Sequence, residues 1–506
     1  MILAGIVVYL AILVAIGIVA ARRMKDVRDY YAAGKRLNFL AVAFSARATG
    51  ESAWLLLGLT GMGAAIGVKA FWVVVGELLG VGVAWILLSR RFKRLTDRYD
   101  SITVPDYLEA RFRDRSHRLR LVSAGALLVF VTIYVSAQID ATGTAFTSFL
   151  GWNYYTGALV GFGVVMAYII GGGFLAVVWS DIFQGAMMFL GLVSLPIIGL
   201  AAAGGWTPVA EGLRLQDPGL LSVWGPEGFS TLNVFAILSL ALIGLGFLGS
   251  PQIFVRFLAL RSEREIPRGT AVAITWTLLA DTGAVLTGLV GRHLLMGPGD
   301  DVAAVLGASG QDVLPALTSL VLPVVFVGVM IAVVLAAIMS TVDSLLVVAS
   351  SAYVRDYYQK VRHPELPDDA LVGRSRVATA VLALVALGVA MTVALTTPDR
   401  TIFWFVVFGW SGIAATFCPT MLLSLFWKGM TTRGALAAMI TGFACVPLFK
   451  FAAPHLPVVG DAFNALEELP PSFLVSGVVG IIVSLGDRRG RVRLAGVEEE
   501  LRAAGK

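Results

Sequence analysis

Six carboxylates, Glu51, Glu77, Asp140, Asp181, Asp281 and Asp343, stand inside stretches that are otherwise almost wholly apolar. An acidic side chain at the centre of a bilayer costs about 3 kcal/mol on insertion scales, so each is a candidate for binding or moving a cation. Arg47 and Glu51 are four residues apart and can neutralise each other on one helix face. Glu77 lies among the small residues Gly76 and Gly80, which suits a packing role equally well. Asp181 and Asp343 carry the functional reading further, because hydroxyls accompany them. In LAAIMSTVDSLL (335–346), Ala337, Ser340, Thr341 and Ser344 recur at i, i+3, i+4 and i+7, one polar stripe on an apolar helix. Such hydroxyls can simply bond back to the carbonyls of the preceding turn. A hard cation takes several oxygens at close range, and two hydroxyls with freed backbone carbonyls supply them without a full negative charge. The spacing leaves sodium and the proton both open.

Freed carbonyls require broken helices, and the sequence offers two breaks. FSARATGESAWLLLGLTGMG (44–63) interrupts an apolar run with Arg47, Thr49, Gly50, Glu51 and Ser52, and LIGLGFLGSPQ (242–252) carries Gly244, Gly246, Gly249 and Pro251. Glycine loses the most entropy in a helix, and Pro251 removes a donor and clashes with the Phe247 carbonyl. Either stretch alone would read as close helix packing. Both fall at corresponding places in two blocks of the chain, and bare backbone at membrane depth is tolerated only where protein or a water-lined cavity satisfies it.

The elements that carry these residues are membrane helices. Of 506 residues 58% are apolar and 14% charged, with mean hydropathy +0.83, where a soluble chain would carry roughly 25% charged residues. Apolar runs long enough to cross about 30 Å of hydrocarbon occupy 2–21, 38–65, 71–89, 120–150, 155–172, 174–203, 232–256, 270–292, 319–352, 377–396, 402–427, 434–453 and 470–486. Arg22, Arg23 and Lys25 follow the first run, the reverse of a secretory signal, so it reads as a retained helix with its N-terminus outside. Thirteen spans from that start put 33 of the 39 Lys and Arg in cytoplasmic segments, as the positive-inside pattern requires. The net charge of +6 therefore points to membrane topology and not to nucleic acid.

The expected organisation is a peripheral first helix (1–21), two blocks of five spans (38–203 and 232–427), two further helices (434–486) and a solvated cytoplasmic tail (487–506). An odd number of spans per block makes the second enter from the opposite side, an inverted repeat. Cys418 and Cys445 lie within spans, and the four histidines lie in or beside loops. No HExxH, GxSxG or GxxxxGK[ST] pattern occurs, which leaves intramembrane protease, ATP-driven pump and enzyme readings without a motif.

At these residues the chain resembles the sodium:solute symporters, most of all the bacterial sodium/proline symporters. The resemblance rests on SAWLLLGLTGMG (52–63), TVPDYLEARFRDRSHRLR (103–120), GGFLAVVWSDIFQ (172–184), GLGFLGSPQIFVRF (244–257), AAIMSTVDSLLVVASS (336–351) and KGMTTRGALAAMITG (428–442). It implies an all-α polytopic protein of the bacterial inner membrane, with thirteen helices and a LeuT-like inverted five-plus-five core working by alternating access. It implies Na+ as the coupling ion, held by the carbonyls of Ala48, Glu51 and Ala337 and the hydroxyls of Ser340 and Thr341. Asp181 matches an acidic residue near a cation path or second sodium site, with Asp343 and Ser344 beside it. The solute cavity would draw on Ser52, Trp54, Gly58, Tyr134, Ile243 and Phe247.

Some positions depart from the proline symporters, which have Asp at Gly50, an apolar residue at Glu51, Trp at Ile243 and Tyr at Phe247. Losing a ring and a hydroxyl changes which solutes a cavity satisfies. The expectation is thus sodium-coupled import of an amino acid such as proline. The alternatives are a proton-coupled symporter with Glu51 or Asp140 titrating, and a transport-fold sensor acting with a separate partner.

Overall fold

The structure is a computed structural model describing residues 2–23, 27–397 and 400–505; Lys25 lies outside the described residues. Among these the chain is helical, with one isolated bridge between Leu37 and Leu260 and no named strand. The principal helices are α1 (Ile2–Arg23), α2 (Phe39–Ala53), α3 (Phe71–Val83), α4 (Arg118–Leu150), α5 (Tyr154–Ala202), α6 (Thr231–Leu242), α7 (Pro251–Ala259), α8 (Ile266–Leu295), α9 (Val324–Ser351), α10 (Leu371–Thr396), α11 (Ile402–Phe426), α12 (Thr432–Pro447), α13 (Leu469–Gly486) and α14 (Val497–Gly505). Side-chain caps set several starts. Asn38 accepts from the Ala41 amide before α2, Ser230 from Asn233 before α6, Thr401 from Trp404 before α11 and Thr431 from Gly434 before α12.

Eleven helical stretches among the described residues are long and apolar enough to cross a membrane, where the sequence suggests thirteen. The difference has two local causes. Phe39–Arg98 runs on as 60 nearly continuous helical residues, absorbing the expected spans at 38–65 and 71–89, and α5 joins the expected spans at 155–172 and 174–203 in one helix, Tyr154–Ala202. Each of these regions contains a glycine that leaves helical geometry. Gly67 has φ +67° and sits so close to Leu220 that a Cβ would lie 2.1 Å from its carbonyl oxygen; Gly173 has φ +53° and packs on the Tyr30 ring.

The centre of the bundle is α9, buried along nearly all of Val327–Ser351, with α2 lying against α5, α8 and α9. α1 and α10 instead turn exposed apolar side chains outward, among them Val7, Val8, Val377 and Val381, as lipid-facing helices do. One contact is made by backbone alone. A Cβ on Gly244 would stand 1.9 Å from the Gly76 carbonyl oxygen, and one on Gly80 2.2 Å from that of Gly244, so α3 and the second break touch without side chains between them.

The tail differs from the solvated end expected of it. α14 buries Val497, Leu501 and Ala504. Arg91 and Arg94 donate to the carbonyls of Leu501 and Ala504, at 3.5 and 3.3 Å, and Lys428 pairs with Glu498 at 2.6 Å. Three apolar positions spaced 3 to 4 residues apart give this short helix one face to bury, which its charge-rich composition concealed.

Between the Val104–Phe112 helix and α4, the Asp114 carboxylate accepts from the Ser116 hydroxyl at 2.6 Å, the Leu119 amide at 2.9 Å and the Ser116 amide at 3.0 Å. Burial pushes its pKa up, but these bonds outweigh burial and hold it below the usual aspartate range. A depressed folded-state pKa contributes stability above the ordinary value near 4, lost as pH falls through the folded one. Asp114→Asn is therefore expected to cost about 1 kcal/mol at neutral pH, with the difference closing below about pH 4. Thermal unfolding at both pH values measures this, and an equal deficit at both would contradict it.

Candidate functional site

The first break comes where the sequence suggests. Ser52 leaves the helix (φ 55°, ψ −166°) and Trp54–Leu59 continues as a wide π turn. The carbonyls one turn before Ser52 lose the regular i+4 partners that a continuous helix would provide. α9 lies across this point. Ser340 Oγ donates to Ala48 O at 3.0 Å and Ala337 O at 3.1 Å, and Thr341 Oγ1 to Thr49 O at 3.1 Å and Ala337 O at 3.2 Å. Ala48, Ala337, Ser340 and Thr341 are thus brought together. The Thr49 carbonyl joins them, whereas neither hydroxyl bonds the Glu51 carbonyl. All four side-chain positions are fully buried. Five neutral oxygens from two helices, gathered away from water, form a donor set that suits a hard monovalent cation.

The second break begins at Ile243, where α6 gives way to a 3-10 segment, Ile243–Leu248, and α7 restarts at Pro251. α7 carries Arg256 inward. The sequence counts Arg256 among cytoplasmic charges, but it is fully buried. Its guanidinium lies 3.0 Å from Asp181 Oδ2 and donates to Thr49 Oγ1 and Ser344 Oγ, each at 2.5 Å, and to Ser45 Oγ at 2.8 Å. Ser45 Oγ in turn donates to Asp181 Oδ2 at 2.5 Å, and Thr49 Oγ1 is 2.7 Å from Ser344 Oγ. Asp343 joins the edge of this network, 3.3 Å from Ser344 Oγ and 3.4 Å from Ser180 Oγ. Asp181, Asp343 and Ser344 do assemble, but around an arginine. A buried ion pair persists only with its remaining lone pairs and protons satisfied, and Ser45, Thr49 and Ser344 supply those bonds.

Of the other intramembrane carboxylates, Glu51, Glu77 and Asp140 also find partners. Arg47 pairs with Glu51 and, at 2.9 Å, with Glu77. Asp140 pairs with Arg400 and accepts from the Tyr154 hydroxyl at 2.5 Å.

The expected cavity residues form two contiguous groups. Tyr134 Oη is 3.4 Å from Ser52 Oγ, and the Tyr134 and Phe247 rings both flank Trp410, at centroid distances of 6.5 and 5.0 Å. Trp410 Nε1 donates to the Ile243 carbonyl at 3.2 Å. Trp54 and Gly58 meet Phe403 instead: the Trp54 and Phe403 rings are 6.3 Å apart, and a Cβ on Gly58 would lie 3.3 Å from Phe403. Trp410 and Phe403, both on α11, and Gln138, whose Oε1 accepts from the Ala53 amide at 3.1 Å, are absent from the sequence reading. Apolar aromatics in a membrane span give no periodic signal that separates a cavity wall from a lipid face.

A model of the sodium:solute symporter family matches residues 30–442. The chain is 36% identical over 471 residues to the high-affinity proline transporter PutP of Bacillus subtilis, covering 93% of this chain and 95% of that one. It is 33% identical over 480 residues to the sodium/proline symporter of Escherichia coli, covering 94% and 91%. Among solved structures it is similar to a Na+-coupled sialic acid symporter in a substrate-bound outward-open state, with TM-score 0.78 at 18% identity, covering 96% and 97% of the two chains. It is also similar to Mhp1, a nucleobase-cation-symport-1 family transporter in a closed conformation, with TM-score 0.55 at 13% identity, covering 94% and 97%. At these identities the two structures share the fold.

Proposed function

The chain belongs to the sodium:solute symporter family, and from that premise we propose that it imports a small organic solute, an amino acid such as proline, together with Na+ across the bacterial inner membrane. The observation that carries this reading is the meeting of Ser340 and Thr341 with the Ala48 and Thr49 carbonyls at a helix break. Relatives named as proline transporters support the solute class.

Counted with the departures at Gly67 and Gly173 as ends, the helices read as thirteen crossings, N-terminus outside and C-terminus inside. The inverted blocks are 38–203 and 232–427, followed by two additional helices at 434–486. Sodium arriving from outside joins α2 to α9 through the five oxygens, and the Glu51 carbonyl adds a sixth as the break opens further. Ser52, Trp54, Gly58, Tyr134, Ile243 and Phe247, with Trp410 added, surround the solute. Asp181, Asp343 and Ser344 lie on the path by which the ion leaves, and Arg256 closes that path in this conformation.

Sodium shifts the conformational balance only by its differential affinity for the two states. A tenfold gradient supplies about 1.4 kcal/mol and 100 mV about 2.3 more per charge, enough for roughly 500-fold accumulation per ion.

The test is labelled-proline uptake into proteoliposomes under an inward sodium gradient, a proton gradient, or neither. Accumulation only with sodium is expected. Accumulation with protons alone would overturn the coupling ion, and no accumulation under any gradient would overturn proline as the solute.

A further inference from the structure

Arg47 of α2, with Glu51 one turn on, meets Glu77 of α3 in the bundle interior, so that two carboxylates share one guanidinium. A third carboxylate enters from a different helix. Asp281 of α8 is fully buried, and neither of its oxygens has a hydrogen-bond partner among the described residues. It is aimed at the other two: single carboxylate oxygens of Glu51, Glu77 and Asp281 all lie within 4.8 Å of one another. Three ionised carboxylates against one guanidinium leave two negative charges in excess where water does not reach. The Asp181 network is different, because there Arg256 pairs directly with Asp181 and Asp343 is bonded by the Ser344 and Ser180 hydroxyls.

We propose that Glu51, Glu77 and Asp281 form a carboxylate-lined site for a monovalent metal cation, separate from the hydroxyl-lined site at Ser340 and Thr341. Any triangle with sides up to 4.8 Å contains a point within about 2.8 Å of all three corners, and hard cations bind oxygen at about 2.3–2.6 Å. A small inward adjustment therefore completes three ligands. One monovalent cation halves that excess, with Arg47 present as a fixed counter-charge that keeps the carboxylates together. Glu51 stands about 60° around α2 from Ala48, at about 100° per residue. The two sites are thus neighbours on one helix, joined through Glu51. The site extends the sodium-coupled reading, but it is testable without transport.

The experiment is equilibrium binding of radiolabelled sodium to the purified full-length protein in detergent. Ser340→Ala/Thr341→Ala removes the hydroxyl-lined site, and in that background Asp281→Asn or Glu77→Gln is introduced. The background variant is expected to retain bound sodium, and each carboxamide substitution to remove one equivalent per chain or weaken its binding at least tenfold. Sodium binding unchanged by both Asp281→Asn and Glu77→Gln would overturn the proposal. So would unchanged sodium binding together with a lost pH dependence of uptake, since the cluster would then hold a proton. Failure of the hydroxyl-site reading shows separately, as unaltered total binding in Ser340→Ala/Thr341→Ala alone.

Discussion

Replacing Ser340 and Thr341 together by alanine is expected to raise the sodium concentration for half-maximal uptake by about 30-fold or more, with each single substitution costing about tenfold. Each hydroxyl removes one of the five oxygens that meet at the first break. A bond to a charged partner contributes about 1.5–3 kcal/mol, and 1.4 kcal/mol is a factor of ten. The carbonyls of Ala48, Thr49 and Ala337 stay in place, so the fold should survive and solute affinity at saturating sodium should change little. Uptake measured against sodium concentration reads this directly. A sodium dependence identical to that of the parent in both single variants would sink the assignment of the α2–α9 crossing as the ion site.

Breaking the Arg256–Asp181 pair from either side is expected to cost about 3–5 kcal/mol of stability, because each single substitution strands a fully buried charge. Asp181→Asn leaves the guanidinium without its counter-ion, and Arg256→Gln leaves the carboxylate with only the bond from Ser45 and a weaker one from Thr49. The double variant removes both charges and should recover much of the loss, giving a coupling energy above about 2 kcal/mol in a double-mutant cycle. Thermal unfolding of the four purified proteins measures it. Additive losses would mean that the two side chains do not depend on each other and that the network is held by its hydroxyls.

What the sequence discloses and what it conceals divide along a physical line. The helix breaks are legible because glycine, proline and charge within an apolar run act locally, and the structure departs from helical geometry at Ser52 and at Ile243–Leu248, where the composition points. The hydroxyl stripe of α9 is legible because it repeats at helical spacing, and its partners on α2 are supplied by the break. The inward path of Arg256 is not legible. An arginine at the end of an apolar run reads equally as a loop charge, and its partner Asp181 is 75 positions away. Trp410 and Phe403 escape for the related reason that one aromatic on α11 looks like any other until the chain is packed. Gly67 and Gly173 leave helical geometry inside long helical stretches, and their contacts with Leu220 and Tyr30 are equally remote in sequence.

The docked tail places an unusual demand on its own composition. Arg91 and Arg94 grasp the last carbonyls of α14, and Arg113 those of Arg493 and Ala495, so these bonds go to main-chain atoms that every residue type carries. Basic side chains at a helix C-terminus are favoured there whatever the local side chains are. Apart from the apolar groups at 497, 501 and 504 and the carboxylates of Glu498 and Glu500, which pair with Lys428 and Arg113, the segment is free to drift in sequence while these main-chain bonds stay the same. It lies beyond the residues 30–442 that carry the family pattern. A fusion partner joined after Lys506 would therefore be tethered beside α14 and the basic helix Ser89–Arg98 that grips it, and would be felt there as a load even where no residue had been altered.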